Sequence, residues 1–98
     1  MNDYQVIYHP DVAAADFRKI PADMRIRILR AIGTRLSTAP EHYGTPLRET
    51  LKGYWKLRVG DYRAVYRVEG KEVRIFAVRH RGQVYEWIIQ RAASWRSR

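Results

Sequence analysis

From residue 54 to residue 79 the chain alternates apolar and polar positions, interrupted by two short polar steps. A period of two on either side of Gly60-Asp61 predicts a strand over 54–59, a two-residue hairpin loop and a second strand over 62–69. In that register Val59 pairs with Tyr62 and Arg58 with Arg63. Side chains alternate faces along a strand, so Trp55, Leu57, Val59, Tyr62, Ala64 and Tyr66 share one side. Lys56, Arg58 and Arg63 share the other. A third strand over 72–79 follows a turn at Gly70-Lys71, which pairs Val68 with Val73, Tyr66 with Ile75 and Ala64 with Ala77. A turn at Glu69-Gly70 would instead set Val68 against Lys71, a poorer match.

Upstream the period changes. Residues 4–9 read as a short strand ended by Pro10, and 11–19 have helical composition, with Pro10 suitably close to a helix start. Ile20-Pro21 breaks that pattern. A second helix over 22–36 carries Ile28, Leu29, Ile32 and Leu36 at helical spacing. Arg25, Arg27, Arg30 and Arg35 lie largely elsewhere on it and are most simply a solvated face. Residues 37–53 hold two prolines and two glycines and read as a loop. Residues 85–94 can form a short terminal helix, with Trp87, Ile88 and Trp95 free to pack. The order is β-α-α-β-β-β plus a C-terminal helix. This is a single α+β domain over 1–98, with an antiparallel sheet and both N-terminal helices on one sheet face.

Ninety-eight residues with 46% hydrophobic content suit one globular domain with a modest core. With no cysteine, a disulfide framework and a thiolate metal site are excluded. No metal site or cofactor is expected, because His9 and His42 have no ligating neighbour. No apolar stretch approaches the roughly 20 residues that span a bilayer, and the N-terminus lacks a signal-peptide pattern, so a cytoplasmic protein without a membrane partner is expected.

Charge changes the picture more than composition does. The net charge is +9, yet residues 1–51 carry seven Lys/Arg against six Asp/Glu, and residues 52–98 carry twelve against four. A positive field confined to one half is the footprint of a polyanion-binding surface. Like charges facing each other, as Arg58 and Arg63 would, disfavour a strand pair. They point to an anion from outside the chain. Lys56, Arg58, Arg63, Arg67 and Arg74 would project from one sheet face, with Arg79, His80 and Arg81 ending the last strand nearby. Guanidinium forks match phosphate oxygens, and Tyr54, Phe76 and Tyr85 could stack on bases. For Arg67 and Arg74, pairing with Glu69, Glu72 or Glu86 is an equal alternative. Glu49 and Glu86 show no convincing pairing as catalytic carboxylates.

These pieces together resemble the RelE-type toxins of bacterial and archaeal toxin–antitoxin pairs. The resemblance runs through the early strand, the Ile20-Pro21 break, Leu51-Lys-Gly-Tyr-Trp-Lys-Leu-Arg58, Gly60-Asp61-Tyr62-Arg63-Ala-Val-Tyr66 and His80-Arg81-Gly-Gln-Val-Tyr85. It implies a metal-independent, ribosome-dependent endoribonuclease that cuts mRNA in the ribosomal A site through attack of a 2′-hydroxyl on the adjacent phosphate. By family correspondence the catalytic set is Lys56, Arg58, Arg63, Arg81 and Tyr85, and Lys52, Arg79 and His80 would bind the nucleic acid. Arg58 stands where lysine is common. Arginine holds its proton too firmly to be an easy base, so Lys56, Tyr85 and His80 all stay open for that role. The resemblance also implies a cognate RelB-like antitoxin; Trp87, Ile88 and Ile89 are available to it or to the domain itself. Two other readings share the residues: a ParE-like gyrase poison on the same fold, and a non-catalytic RNA-binding module.

Overall fold

A computed structural model of the chain describes residues 3–81 and 86–95. Strand β1 (Gln5–Tyr8) leads into a wide helical turn, Val12–Asp16, which tightens into a 3-10 turn at Phe17–Lys19. Pro21 precedes helix α1 (Ala22–Ala31), which continues as a wider turn over Ile32–Leu36. Thr34 donates to the Arg30 carbonyl, Ser37 to that of Gly33 and Thr38 to that of Thr34. Such hydroxyl back-bonding bends helices and competes with the regular ladder.

Residues 37–53 are more ordered than their proline and glycine content predicts. They hold a short helix α2 (Pro40–Tyr43), an edge strand β2 (Thr45–Pro46) and a 3-10 turn at Glu49–Leu51. The reason lies in long-range contacts. Pro40 is buried, and the Tyr66 hydroxyl donates to its carbonyl across 2.6 Å. Pro46 is tolerated because β2 is the sheet's outermost strand.

Strands β3 (Trp55–Val59), β4 (Tyr62–Glu69) and β5 (Glu72–His80) complete a five-stranded sheet of order β1-β5-β4-β3-β2. Only β1 runs parallel to its neighbour β5. The hairpin register is the expected one, Val59 opposite Tyr62 and Arg58 opposite Arg63. Gly60 supplies the positive φ of 60° that the loop needs.

The second hairpin departs from the regular pattern. Val68 faces Val73 and Tyr66 faces Ile75, but Ala64 faces Val78 rather than Ala77, because Phe76 is an extra residue on β5. The run Ile75-Phe76-Ala77-Val78 is apolar throughout and buried, and a continuous apolar run carries no face information. The slip turns Ala77 away from the main core, to the side that Val65 already faces by alternation. They pack instead with Ile88 of helix α3 (Glu86–Ser94), on the second face of the sheet.

The main core lies between the first face and the N-terminal helical segments. Ile28, Ile32 and Leu36, spaced four residues apart, are fully buried against Leu57, Val59, Ala64, Tyr66 and Ile75. Each such aliphatic contributes about 1.5–3 kcal/mol. Beyond Ile75, β1 no longer covers the edge of β5, and side chains take over. Asp16 accepts the Val78 N–H at 3.0 Å, and Arg91 of α3 donates to the Phe76 carbonyl at 3.0 Å. Among the described residues no helix is long and apolar enough to cross a membrane.

Candidate active site

The β3–β4 turn and the C-terminal end of the α1 extension place four cations round one cleft of about 350 Å3: Lys56, Arg58, Arg63 and Arg35. Tyr43, Thr45 and Leu57 complete its wall, so no carboxylate among the described residues lines it. Three of these cations are the ones the alternation in β3 and β4 brings to one strand face. Arg63 is held in place by its own turn. Its Nη1 donates to the Gly60 and Tyr62 carbonyls at 3.2 and 3.0 Å, which fixes the fork while Nε and Nη2 make no hydrogen bond among the described residues. Arg35 was not predicted to be here; on a helical wheel it looks like any solvated arginine. Only the crossing of that helix over β3 brings it to the strand's uncovered edge. Tyr43 was missed for a similar reason, since its segment reads as a loop. It is half exposed at the cleft.

A site of this kind concentrates donors and positive charge on one small anion. The Arg63 fork, fixed by its own turn, suits a phosphodiester, and developing charge on phosphorus would find that donor already oriented. Among the described residues no group of His, Asp and Glu is arranged to hold a metal.

Residues 6–85 match the family described as ParE toxin of type II toxin-antitoxin system, parDE. The chain belongs to the RelE/ParE toxin superfamily. It is 31% identical over 75 residues to toxin RelG of Mycobacterium tuberculosis, covering 74% of this chain and 86% of that one. Toxin RelE of the same organism is 30% identical over 84 residues, 86% of this chain and 78% of its own length. Among solved structures, a RelB–RelE-type toxin–antitoxin complex from M. tuberculosis superposes with a TM-score of 0.74 at 31% identity, covering 81% of this chain and 99% of that one. The archaeal RelE–RelB complex of Pyrococcus horikoshii gives 0.63 at 26%, over 84% and 99% of the two chains.

The toxin distributes the remaining expected site residues less uniformly. Arg81 lies beside the same turn. Its N–H donates to the Asp61 carbonyl at 2.8 Å and its Nε stands 3.7 Å from the exposed Asp61 carboxylate. Such an exposed pair is weak, worth about 0–1 kcal/mol. Arg79 faces Arg63 in the register, yet its Nε is bound at 3.1 Å to the buried Asp16. His80 lies in another depression with Lys19, Ile20 and Tyr62, its ring edge-on to Tyr62 at 5.5 Å. Lys52 is exposed in the turn before β3 and is not part of the cleft wall. Tyr85 lies outside the described residues, as do the side chains of Glu86 and Trp87.

Arg67 and Arg74 also leave the set. Arg67 stands 3.6 Å from Glu69 and 5.5 Å from the Tyr54 ring centroid. Arg74 is buried, 3.3 Å from Glu72 and stacked on Trp95. Tyr54 and Phe76, expected as stacking platforms for bases, pack edge-to-face on one another at 5.3 Å, and Phe76 is buried. The strand face therefore divides: Lys56, Arg58 and Arg63 open to the cleft, and the far end is occupied by α3 and internal carboxylates.

Proposed function

We propose that this toxin is a ribosome-dependent endoribonuclease that cuts mRNA without a metal. The observation that carries this reading is the meeting of Lys56, Arg58, Arg63 and Arg35 in one cleft with no carboxylate among the described residues in its wall. In the proposed reaction the 2′-hydroxyl gives its proton to a base as its oxygen attacks the adjacent phosphorus, and the bond to the 5′-oxygen breaks. A 2′,3′-cyclic phosphate remains, and the 5′-oxygen leaves as a hydroxyl after taking up a proton. Arg63 and Arg35 hold the non-bridging oxygens as charge builds on phosphorus, with Arg81 approaching from the turn. Fixing the nucleotide so that the 2′-oxygen lines up with the leaving oxygen supplies a further large share of the acceleration. Of the three residues considered as the base, Lys56 lines the cleft and His80 lies in a separate depression.

The test is cell-free translation with the purified toxin, mapping new RNA ends by primer extension. Cuts clustered at the A-site codon support the reading, and intact transcripts overturn it. The second reading, a gyrase poison, is favoured by the ParE description of the matching family. Accumulated cleaved DNA–gyrase complexes with intact mRNA would establish it instead. We also extend to this chain an antitoxin partner, because the relatives from M. tuberculosis and P. horikoshii were solved as toxin–antitoxin complexes.

A further inference from the structure

A second cleft, of about 320 Å3, opens beside the first and shares Arg35 and Arg58 with it as a common wall. Its own cations are Arg27 and Arg30, with Thr34 between the arginines of the helix and Val59-Gly60 as its floor. Residues 27, 30 and 34 follow one helical row, so the two arginines rise on the same face one turn apart. They are exposed, and among the described residues none of Arg27, Arg30, Arg35 or Arg58 meets a carboxylate. Arg27 approaches the Met24 sulfur at 4.0 Å. Like charges one turn apart weaken an isolated helix, and among the described residues no ion pair offsets them.

We infer that this second cleft binds a backbone phosphate flanking the scissile one, so that a single RNA strand crosses from one cleft to the other over the Arg35–Arg58 wall. The inference rests on the nuclease reading for the word scissile, but not for the binding of single-stranded RNA. Three features carry it. The clefts are contiguous, neither is lined by a carboxylate among the described residues, and the wall between them is made by two arginines that can serve adjacent phosphates. A solvated helix face would need none of these. The groove also makes chemical use of the hairpin's uncovered edge: beyond the Thr45–Pro46 pairing, β3 has no neighbouring strand to block the passage.

The experiment compares two 2′-O-methylated RNA probes, a dinucleotide and a hexanucleotide, neither of which can be cut by 2′-hydroxyl attack. Binding of the full-length toxin is followed by fluorescence anisotropy across a salt series. Arg27→Gln/Arg30→Gln should bind the hexanucleotide about tenfold more weakly at low salt, with a salt slope shallower by about 1. It should bind the dinucleotide within about twofold of the unsubstituted protein. Lys56→Gln should weaken both probes. Unchanged hexanucleotide affinity in the double variant overturns the inference. So does an equal loss on both probes, or a loss of ribosome binding with the hexanucleotide unaffected, which would assign the groove to ribosomal RNA. Glutamine preserves the helix, and an unchanged unfolding midpoint confirms that the fold is intact. If the double variant behaves as expected while the unsubstituted toxin leaves mRNA uncut on programmed ribosomes, the nuclease reading fails and the groove stands.

Discussion

Arg63 reaches the cleft with half of its guanidinium already bound to the turn that carries it. Lysine cannot reproduce that arrangement, because a single ammonium cannot hold two turn carbonyls and still present a planar fork. Arg63→Ala should lower the rate of mRNA cleavage about 10²–10³-fold, the usual cost of one lost transition-state donor, and Arg63→Lys should restore little of it. Rates within threefold of the unsubstituted toxin would remove Arg63 from the mechanism. A second residue-scale prediction concerns Gly44. A Cβ there would stand 1.7 Å from the Tyr66 hydroxyl oxygen and 3.3 Å from the Lys56 carbonyl. Burial pushes the Tyr66 phenol up from its ordinary value, with Glu41 adding to the effect, so it stays a neutral donor to Pro40. Gly44→Ala should therefore lower stability by about 1–3 kcal/mol, and Tyr66→Phe by about 0.5–1.5 kcal/mol, since the Pro40 carbonyl loses one donor and keeps the Gly44 N–H at 3.3 Å. Both are read as urea midpoints. At this scale Arg58 and Arg63 were legible because a hairpin loop fixes which strand positions face each other. Arg35 and Tyr43 were not, because their places depend on how one element crosses another.

Helix α3 is attached to the sheet by more than Ile88. Arg91 makes paired contacts of 2.8 and 3.2 Å with Asp16, whose carboxylate also holds Arg79 and the Val78 N–H. Trp95 stacks on Arg74 and meets both His9 and Phe76 edge-on. Asp16→Asn leaves two arginines facing a neutral group in a dry site. It should cost about 3–5 kcal/mol, with amide exchange in α3 accelerating before global unfolding. His9 adds a pH dependence. Its pKa is lowered below the ordinary 6.5, first by burial; Arg91 also lowers it, and Asp11 and Asp16 oppose the shift. Its Nδ1 accepts the Asp11 N–H at 3.0 Å, a role that only the neutral ring's lone pair fills. The unfolded chain thus takes up the proton at higher pH than the folded one. This part of the stability is complete above about 6.5 and is lost as pH falls towards the folded value. Urea midpoints between pH 7.5 and 5 should decline, and His9→Gln should flatten that decline. In the sequence, the strands and the long helix showed their boundaries through hydrophobic period. The β5 bulge, α2 and β2 did not, since each is fixed by contacts distant in the chain.

Over the whole molecule, the surplus of cations in residues 52–98 predicted a basic surface, and the fold refines this into two parts. Arg67, Arg74, Arg79 and Arg91 have carboxylate partners. The cations round the two adjoining clefts have none among the described residues, and the near-neutral first half contributes Arg27, Arg30 and Arg35 to them. Affinity for single-stranded RNA should fall linearly with salt on a double-logarithmic plot, at about −0.7 per phosphate engaged and near −1.4 for a strand with one phosphate in each cleft. A flat salt profile would mean that the clefts do not grip a backbone.

One carboxylate, that of Asp16, closes the exposed half of a strand and also tethers the terminal helix through Arg91. Prying that helix loose would therefore strip a cation from Asp16 and unsettle the β5 backbone it braces, whose Arg79 sits directly across from Arg63. Whatever undocks the tail at one margin of the protein is thus mechanically linked to the hairpin that carries Arg58 and Arg63, with no need to touch it.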